Sequence, residues 1–262
     1  MDVKSGDMAI RVHLKFCKLL LKFKKSTPDF MVYGELGRYP LDINIKLRRI
    51  NYWSKLINGK PEKLPVVLYK FSLDKYGNDI LWLNNVKKIL DECGMSYIWE
   101  SQYFNGSNWL NATIKQILID QFKQIWKGRV YESPKGLNYR LFKENLEFEE
   151  YFTKLDDKNI STLCKFRTVN HKLPIETGRW RNIARENRLC LLCNSGDIGD
   201  EYHYICSCSA FEDDRKSFVK QKFRYRPNIV KFKELMNSKN LLDLNNLCKF
   251  IRIINKRIDS HG

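Results

Sequence analysis

Cys190, Cys193, His203 and Cys208 are the residues whose types and spacing most directly specify chemistry in this chain. Cys190 and Cys193 enclose two residues, a knuckle that presents two thiolates to one ion. After nine more residues, Gly196 and Gly199 among them, His203 and then Cys208 can complete a tetrahedron. Three sulfurs and one imidazole suit Zn2+. Four protein ligands leave no vertex for water, so one structural zinc is expected rather than a catalytic one. Cys206 stays open as an alternative fourth ligand, because a His203-x2-Cys206 spacing is stereochemically allowed. Four intervening residues let the chain turn and approach the ion from its far side, which favours Cys208. The nine-residue central loop is longer than that of retroviral knuckles, so their nucleotide-binding geometry is not carried over. Of the eight cysteines, Cys17, Cys93, Cys164 and Cys248 stand alone. They read as small core residues, and the whole pattern fits a reducing compartment, nuclear or cytoplasmic.

A second constellation precedes the cysteines. Between positions 167 and 188 stand Arg167, His171, Lys172, Arg179, Arg181, Arg185 and Arg188, with Trp180 among them and Glu176 and Glu186 the only acids. Guanidinium forks bind phosphate, and an indole can stack on an unpaired base, a combination suited to single-stranded nucleic acid. Core burial of Trp180 is the competing reading, and His171 reads as a hydrogen-bonded structural residue. Near the N-terminus Arg11, Lys15, Lys18, Lys22 and Lys25 recur at alternating steps of four and three, with no acid interleaved. That aligns them on one helical face, either merely solvated or in contact with phosphate.

These groups need a scaffold, and the composition supplies one. The 262 residues are 43% hydrophobic and 13% aromatic with only 13 Gly and 7 Pro, enough to pack a core and too apolar for general disorder. A net charge of +17 calls for a polyanionic partner, RNA or DNA first. Apolar runs are broken by lysine far short of a bilayer span, and the charged N-terminus is not a signal peptide, so no membrane association is expected. Helical periodicity predicts an amphipathic helix over 8–24, its apolar stripe Ile10, Leu14, Cys17 and Leu21 widened by Phe16, Leu20 and Phe23. A short helix capped by Thr27 should run to Gly37, and another from Pro40 to Gly59. Further helices are expected at about 64–76, 80–92, 109–127, 139–153, 156–168 and 211–222, then two starting near Pro227 and Asn240. Trp53, Trp82, Trp99, Trp109 and Trp126 read as core. No stretch alternates with period two. The expected fold is therefore an all-α, multi-helix bundle with a small CCHC zinc-knuckle insertion near the C-terminal third. Its regions are a basic α-helical part (1–168), a basic linker plus knuckle (169–226) and C-terminal helices (227–262).

The block Phe166-Arg167-Thr168-Val169-Asn170-His171-Lys172-Leu173-Pro174-Ile175-Glu176-Thr177-Gly178-Arg179-Trp180, followed by the Cys190/Cys193 pair, Gly199-Asp200-Glu201-Tyr202-His203-Tyr204 and Cys208, resembles the C-terminal region of reverse transcriptases from non-LTR, LINE-type retrotransposons. Val12-His13-Leu14-Lys15-Phe16-Cys17, Met31-Val32-Tyr33-Gly34-Glu35-Leu36-Gly37-Arg38-Tyr39-Pro40 and Leu90-Asp91-Glu92-Cys93-Gly94 are similar to the stretch after the polymerase thumb in such elements. The resemblance implies a non-catalytic nucleic-acid-binding region that helps hold template RNA and target DNA. It also implies a tail detached from its polymerase and endonuclease. Phe211-Glu212-Asp213-Asp214 mimics the polymerase motif but reads as a helix start whose acids suit the positive end of the dipole. A metal-dependent nuclease or polymerase is not expected, for want of a carboxylate constellation. The rival reading is a zinc-stabilised scaffold or protein-interaction module from a decayed mobile-element copy. The oligomeric state is left open.

Overall fold

In the computed structural model of the chain, residues 8–261 are described, and 1–7 and 262, the outer ends of the expected regions, lie outside them. Among the described residues the chain is helical, and β structure is limited to one isolated antiparallel bridge between Leu189 and Ile198. The helices are α1 Met8–Leu20, α2 Asp29–Leu36, α3 Leu41–Ile57, α4 Leu64–Tyr76, α5 Leu81–Glu92, α6 Ser96–Ser101, α7 Ser107–Glu132, α8 Tyr139–Phe142, α9 Tyr151–Lys154 and α10 Asp157–Arg167. There follow α11 Pro174–Trp180, α12 Glu212–Phe218, α13 Gln221–Arg224, α14 Ile229–Met236 and α15 Leu241–His261. No helix among the described residues is long and apolar enough to cross a membrane.

The helix stops follow from the sequence. Gly37 ends α2 at φ +55°, where a Cβ would collide with the backbone of Glu147 and Phe148. Asp156 caps α10 by accepting from the Asn159 N–H at 2.8 Å, and Asn240 caps α15 through the Asp243 N–H at 3.1 Å. Three expectations fail locally. Thr27 does not cap α2; it is buried, and its hydroxyl donates to Asn170 Oδ1 at 2.6 Å. Phe16 and Leu20 do not widen the buried stripe of Ile10, Cys17 and Leu21 but stand exposed. The segment 139–153 is not one helix: the chain between α8 and α9 runs over the end of α2, where the Glu149 N–H donates to the Glu35 carbonyl.

Packing divides the chain into two units that cut across the regions expected at 168/169 and 226/227. The first comprises the described residues to Leu14 and Tyr39–Ile125. Its core is built on Trp53, which stacks on Trp99 at 6.0 Å between centroids, packs on Phe104 and donates its indole N–H to the Tyr69 hydroxyl. Leu83, Val86 and Leu90 of α5 and Leu110 and Ile114 of α7 close around it. Trp109 departs from the core reading and is 45% exposed.

The second unit comprises Lys15–Arg38 and Trp126–Gly262. Here α15 packs against α10 and α12, burying Leu244, Leu247, Ile251 and Ile254 as their spacing requires, with Cys248 and Phe250 added and Leu241 left half exposed. That contact joins residues from all three expected regions. At its centre Arg167, with no exposed side-chain surface, pairs with Glu35 Oε2 at 3.1 Å and Glu149 Oε2 at 3.0 Å and donates to the Met236 carbonyl. Burial works against the guanidinium charge, but Glu35 and Glu149 outweigh it and raise its pKa. The expected nucleic-acid role of Arg167 is thereby corrected: this side chain is a core ion-pair partner that no phosphate can reach.

Candidate metal centre and basic surface

Cys190 and Cys193 sit on a small hairpin. The Cys190 N–H donates to the Asp197 carbonyl, the Gly199 N–H donates to Arg188, and Gly196 turns the chain at φ +74°. Gly199 is needed for a different reason, since a Cβ there would lie 2.8 Å from Pro174 Cγ and 3.2 Å from Cys190 Cα. The hairpin therefore seats directly on the start of α11. His203 and Cys208 come from one wide turn, His203–Ser207, of π type, closed by the Cys208 N–H onto the His203 carbonyl at 2.8 Å. This wide turn is why a four-residue spacer brings imidazole and thiol to one point.

The ligand atoms of Cys190, Cys193, His203 and Cys208 all lie within 4.8 Å of one another, so this group can hold a metal ion. Cys190 Sγ is 3.7 Å from Cys208 Sγ, and Cys193 Sγ is 3.3 Å from His203 Nε2. A tetrahedron with metal–sulfur bonds of about 2.3 Å has edges of about 3.8 Å, and these two separations are of that size. Cys206, by contrast, is buried apart from the group, and burial pushes its thiol up to about 12. Cys208 is the fourth member, as the spacing favoured.

The surroundings orient the ligands. His203 Nδ1 faces Asp197 Oδ2 at 3.4 Å and Ser207 Oγ at 3.3 Å, which leaves Nε2 for the ion. The Leu192 N–H donates to Cys190 Sγ, and the Tyr204 hydroxyl lies 3.3 Å from it. The hydrogen bond from Cys208, with help from His203 and Tyr204, draws the Cys190 thiol far below its ordinary pKa. Burial disfavours charge on His203, but Cys190 and Cys193 outweigh it and raise its pKa. The Cys190 thiolate is thus favoured, while its hydrogen-bond partner Cys208 is pushed far the other way, by Cys190 first and by burial second. Sequence inspection missed Arg215, whose buried guanidinium donates to the carbonyls of Ile205 at 2.9 Å and Cys208 at 2.7 Å and pins the turn. Nothing in its local sequence marks it.

Beside the hairpin, the expected linker contains α11. Pro174 opens it at the first turn, and Gly178 lets the Arg188 side chain cross it. Trp180 is 49% exposed rather than core, and Lys24 Nζ lies 4.4 Å over its ring. Glu176, buried beneath, accepts from Arg179 at 2.8 and 2.9 Å and from the Trp180 indole N–H at 2.9 Å, with Lys135 Nζ 3.4 Å away. Burial pushes the Glu176 carboxyl up, but Arg179, Lys135 and Trp180 outweigh it and hold it below the usual carboxylate range. Lys24 has its pKa lowered, by burial first, with Lys172 and Lys165 adding like charge against the opposing Glu176.

The remaining expected contacts scatter. Arg181 is exposed, Lys172 pairs with Asp259 at 2.9 Å, and Arg185 reaches toward Asp200 at 3.8 Å. Arg188 donates to the Ile183 and Ile175 carbonyls and so serves the loop rather than solvent. Lys15 and Lys22 are exposed, Lys18 pairs with Asp29 at 2.9 Å, and Arg11, also exposed, belongs to the first unit. His171 is structural, buried with Nε2 2.8 Å from Glu201 Oε1. Lys24 and Lys135 were missed; only a contact across 156 residues to Trp180 and one across 41 residues to Glu176, respectively, bring them here, and the sequence carries no local sign of either. The acids after Phe211 lie in the first turn of α12, where Glu212 pairs with Lys216 and Asp214 with Arg257. Comparison with family models, curated proteins and solved structures finds no match to this chain.

Proposed function

We propose that the second unit is a non-catalytic nucleic-acid-binding module, stabilised by one structural Zn2+ on Cys190, Cys193, His203 and Cys208. The observation that carries it is the exposed Trp180 ring with Lys24 across its face, where one buried carboxylate, Glu176, faces Lys24, Lys135 and Arg179. A half-exposed indole fixed at its edge by Glu176 offers a stacking platform, and the surplus cations offer phosphate contacts. A base that stacks on Trp180 would replace Lys24, which then becomes available to the adjoining phosphate. This reading agrees with the resemblance to the C-terminal region of LINE-type reverse transcriptases, in which template RNA and target DNA are the partners.

Zinc is favoured over other ions by the donor set of three thiolates and one imidazole and by the tetrahedral edge lengths. With no vertex left for solvent, its part is to lock hairpin to turn and so to hold α11 in place.

The test is binding of a fluorescent single-stranded RNA by the zinc-loaded chain across a salt series. Trp180→Ala is expected to weaken binding by about 1–3 kcal/mol with the salt slope retained. Arg179→Ala and Arg181→Ala should each lower the slope by about 0.7, the value for one lost phosphate contact on a single strand. Full affinity and an unchanged slope in all three variants would leave the scaffold reading standing in its place.

A further inference from the structure

The first unit contains a groove of about 680 Å³ between α3 and α7. One stripe from each helix walls it. Asn44, Arg48 and Asn51 recur at steps of four and three along α3, and Asn108, Asn111 and Lys115 at three and four along α7, the spacing that brings side chains to one face. None of the ten residues lining it is acidic. Neighbouring Lys46 is neutralised by Glu92 at 2.8 Å, whereas Arg48 and Lys115 are exposed and have no carboxylate partner among the described residues. Asn111 donates to the Ser107 carbonyl at 2.8 Å and keeps its acceptor free, while the amides of Asn44, Asn51 and Asn108 make no hydrogen bond among the described residues.

Four amides, each with an acceptor and two donor hydrogens, stand here with two uncompensated cations. That ratio matches a polymer with one negative charge per repeat and several neutral hydrogen-bonding edges between charges. An acidic peptide would satisfy the cations but would present more carboxylates than two cations can neutralise. A duplex buries its base edges inside its grooves and could offer this cleft little beyond phosphates. We infer that the α3–α7 groove is a second nucleic-acid site, which takes a short unpaired stretch of RNA or DNA with phosphates on Arg48 and Lys115 and base or sugar edges on the asparagine amides. The groove is built wholly from the first unit, so the inference stands independently of the Trp180 surface.

The experiment uses the full chain with two probes, a fluorescent oligouridine for affinity and a 4-thiouridine-substituted one for photo-crosslinking. In the Arg48→Ala/Lys115→Ala variant, affinity at low salt should fall on the order of tenfold and the salt slope by about 1.4, for two lost contacts. Asn44→Asp/Asn108→Asp, which places negative charge on exposed positions without truncating a side chain, should also weaken binding while circular dichroism stays unchanged. Crosslinks should map to peptides spanning 41–51 or 107–115, and oligoglutamate should compete poorly. The inference is overturned if both variants keep full affinity and slope, if crosslinks map only to α11, or if oligoglutamate displaces the RNA as well as oligouridine does. The Trp180 reading fails separately, when Trp180→Ala binds normally while the groove variants do not.

Discussion

Glu176 organises the basic surface although its charge opposes nucleic acid. Its two oxygens hold the Arg179 fork and the Trp180 indole edge, so removing the carboxylate should loosen the platform rather than strengthen the field. Because its folded pKa lies below the ordinary value of about 4.3, the ionised form contributes stability at neutral pH, and that contribution disappears as pH falls through the folded pKa. The stability advantage of wild type over Glu176→Gln, read by urea denaturation, should therefore be constant above about pH 5 and shrink as pH falls below the ordinary carboxylate range. A difference that persists unchanged at the acid end would show that Glu176 acts by packing alone. Arg167 marks the limit of legibility at this scale. It is an arginine like Arg179, yet one is buried on Glu35, 132 residues away in sequence, and the other reaches the surface. Only long-range pairing separates them. Arg167→Ala should cost about 3–5 kcal/mol in the same assay, because Glu35 would be left buried without its cation.

At the scale of elements, the strongly periodic helices and the Cys/His group that can hold a metal were legible and the connections between them were not. The spacing announces the group, because a Cys-x2-Cys hairpin and a His-x4-Cys turn are each closed by their own backbone hydrogen bonds. The region around α11 read as a linker because Pro174 and Gly178 look like helix breakers. In the fold Pro174 fills the first turn, where no donor is needed, and Gly178 makes room for Arg188. The break between α8 and α9 was hidden for the opposite reason: the periodicity continues, but Glu149 is drawn to buried Arg167. The turn that separates Cys206 from Cys208 yields a sharp expectation. Cys193→Ser should lose zinc, measured by a chromogenic chelator titration, whereas Cys206→Ser should retain one equivalent. Zinc lost from Cys206→Ser and kept in Cys208→Ser would reverse the assignment.

Over the whole molecule, the surplus of 47 basic over 30 acidic residues is distributed unevenly. Surface ion pairs such as Lys216 with Glu212 and Lys222 with Glu234 tie up many of the acids. The cations around Trp180 and in the α3–α7 groove lie where carboxylates are scarce. Exposed pairs of that kind contribute little to stability, so they neither hold the fold nor compete strongly with phosphate. Stability rests instead on two separate apolar cores, one around Trp53 and one along α15, and the candidate centre adjoins the second through Phe211, which packs on both Tyr204 and Phe250. Zinc binding to such a site can supply on the order of 10 kcal/mol to local folding, so its removal should be felt where those contacts lead. With a strong chelator, hydrogen exchange should accelerate across residues 188–215 and in the facing turns of α15, while amides of α5 around Val86 and Leu90 keep their protection. Equal loss of protection in α5 would mean that the metal supports the chain as one cooperative body. No change anywhere would mean that the four ligands hold no ion in solution.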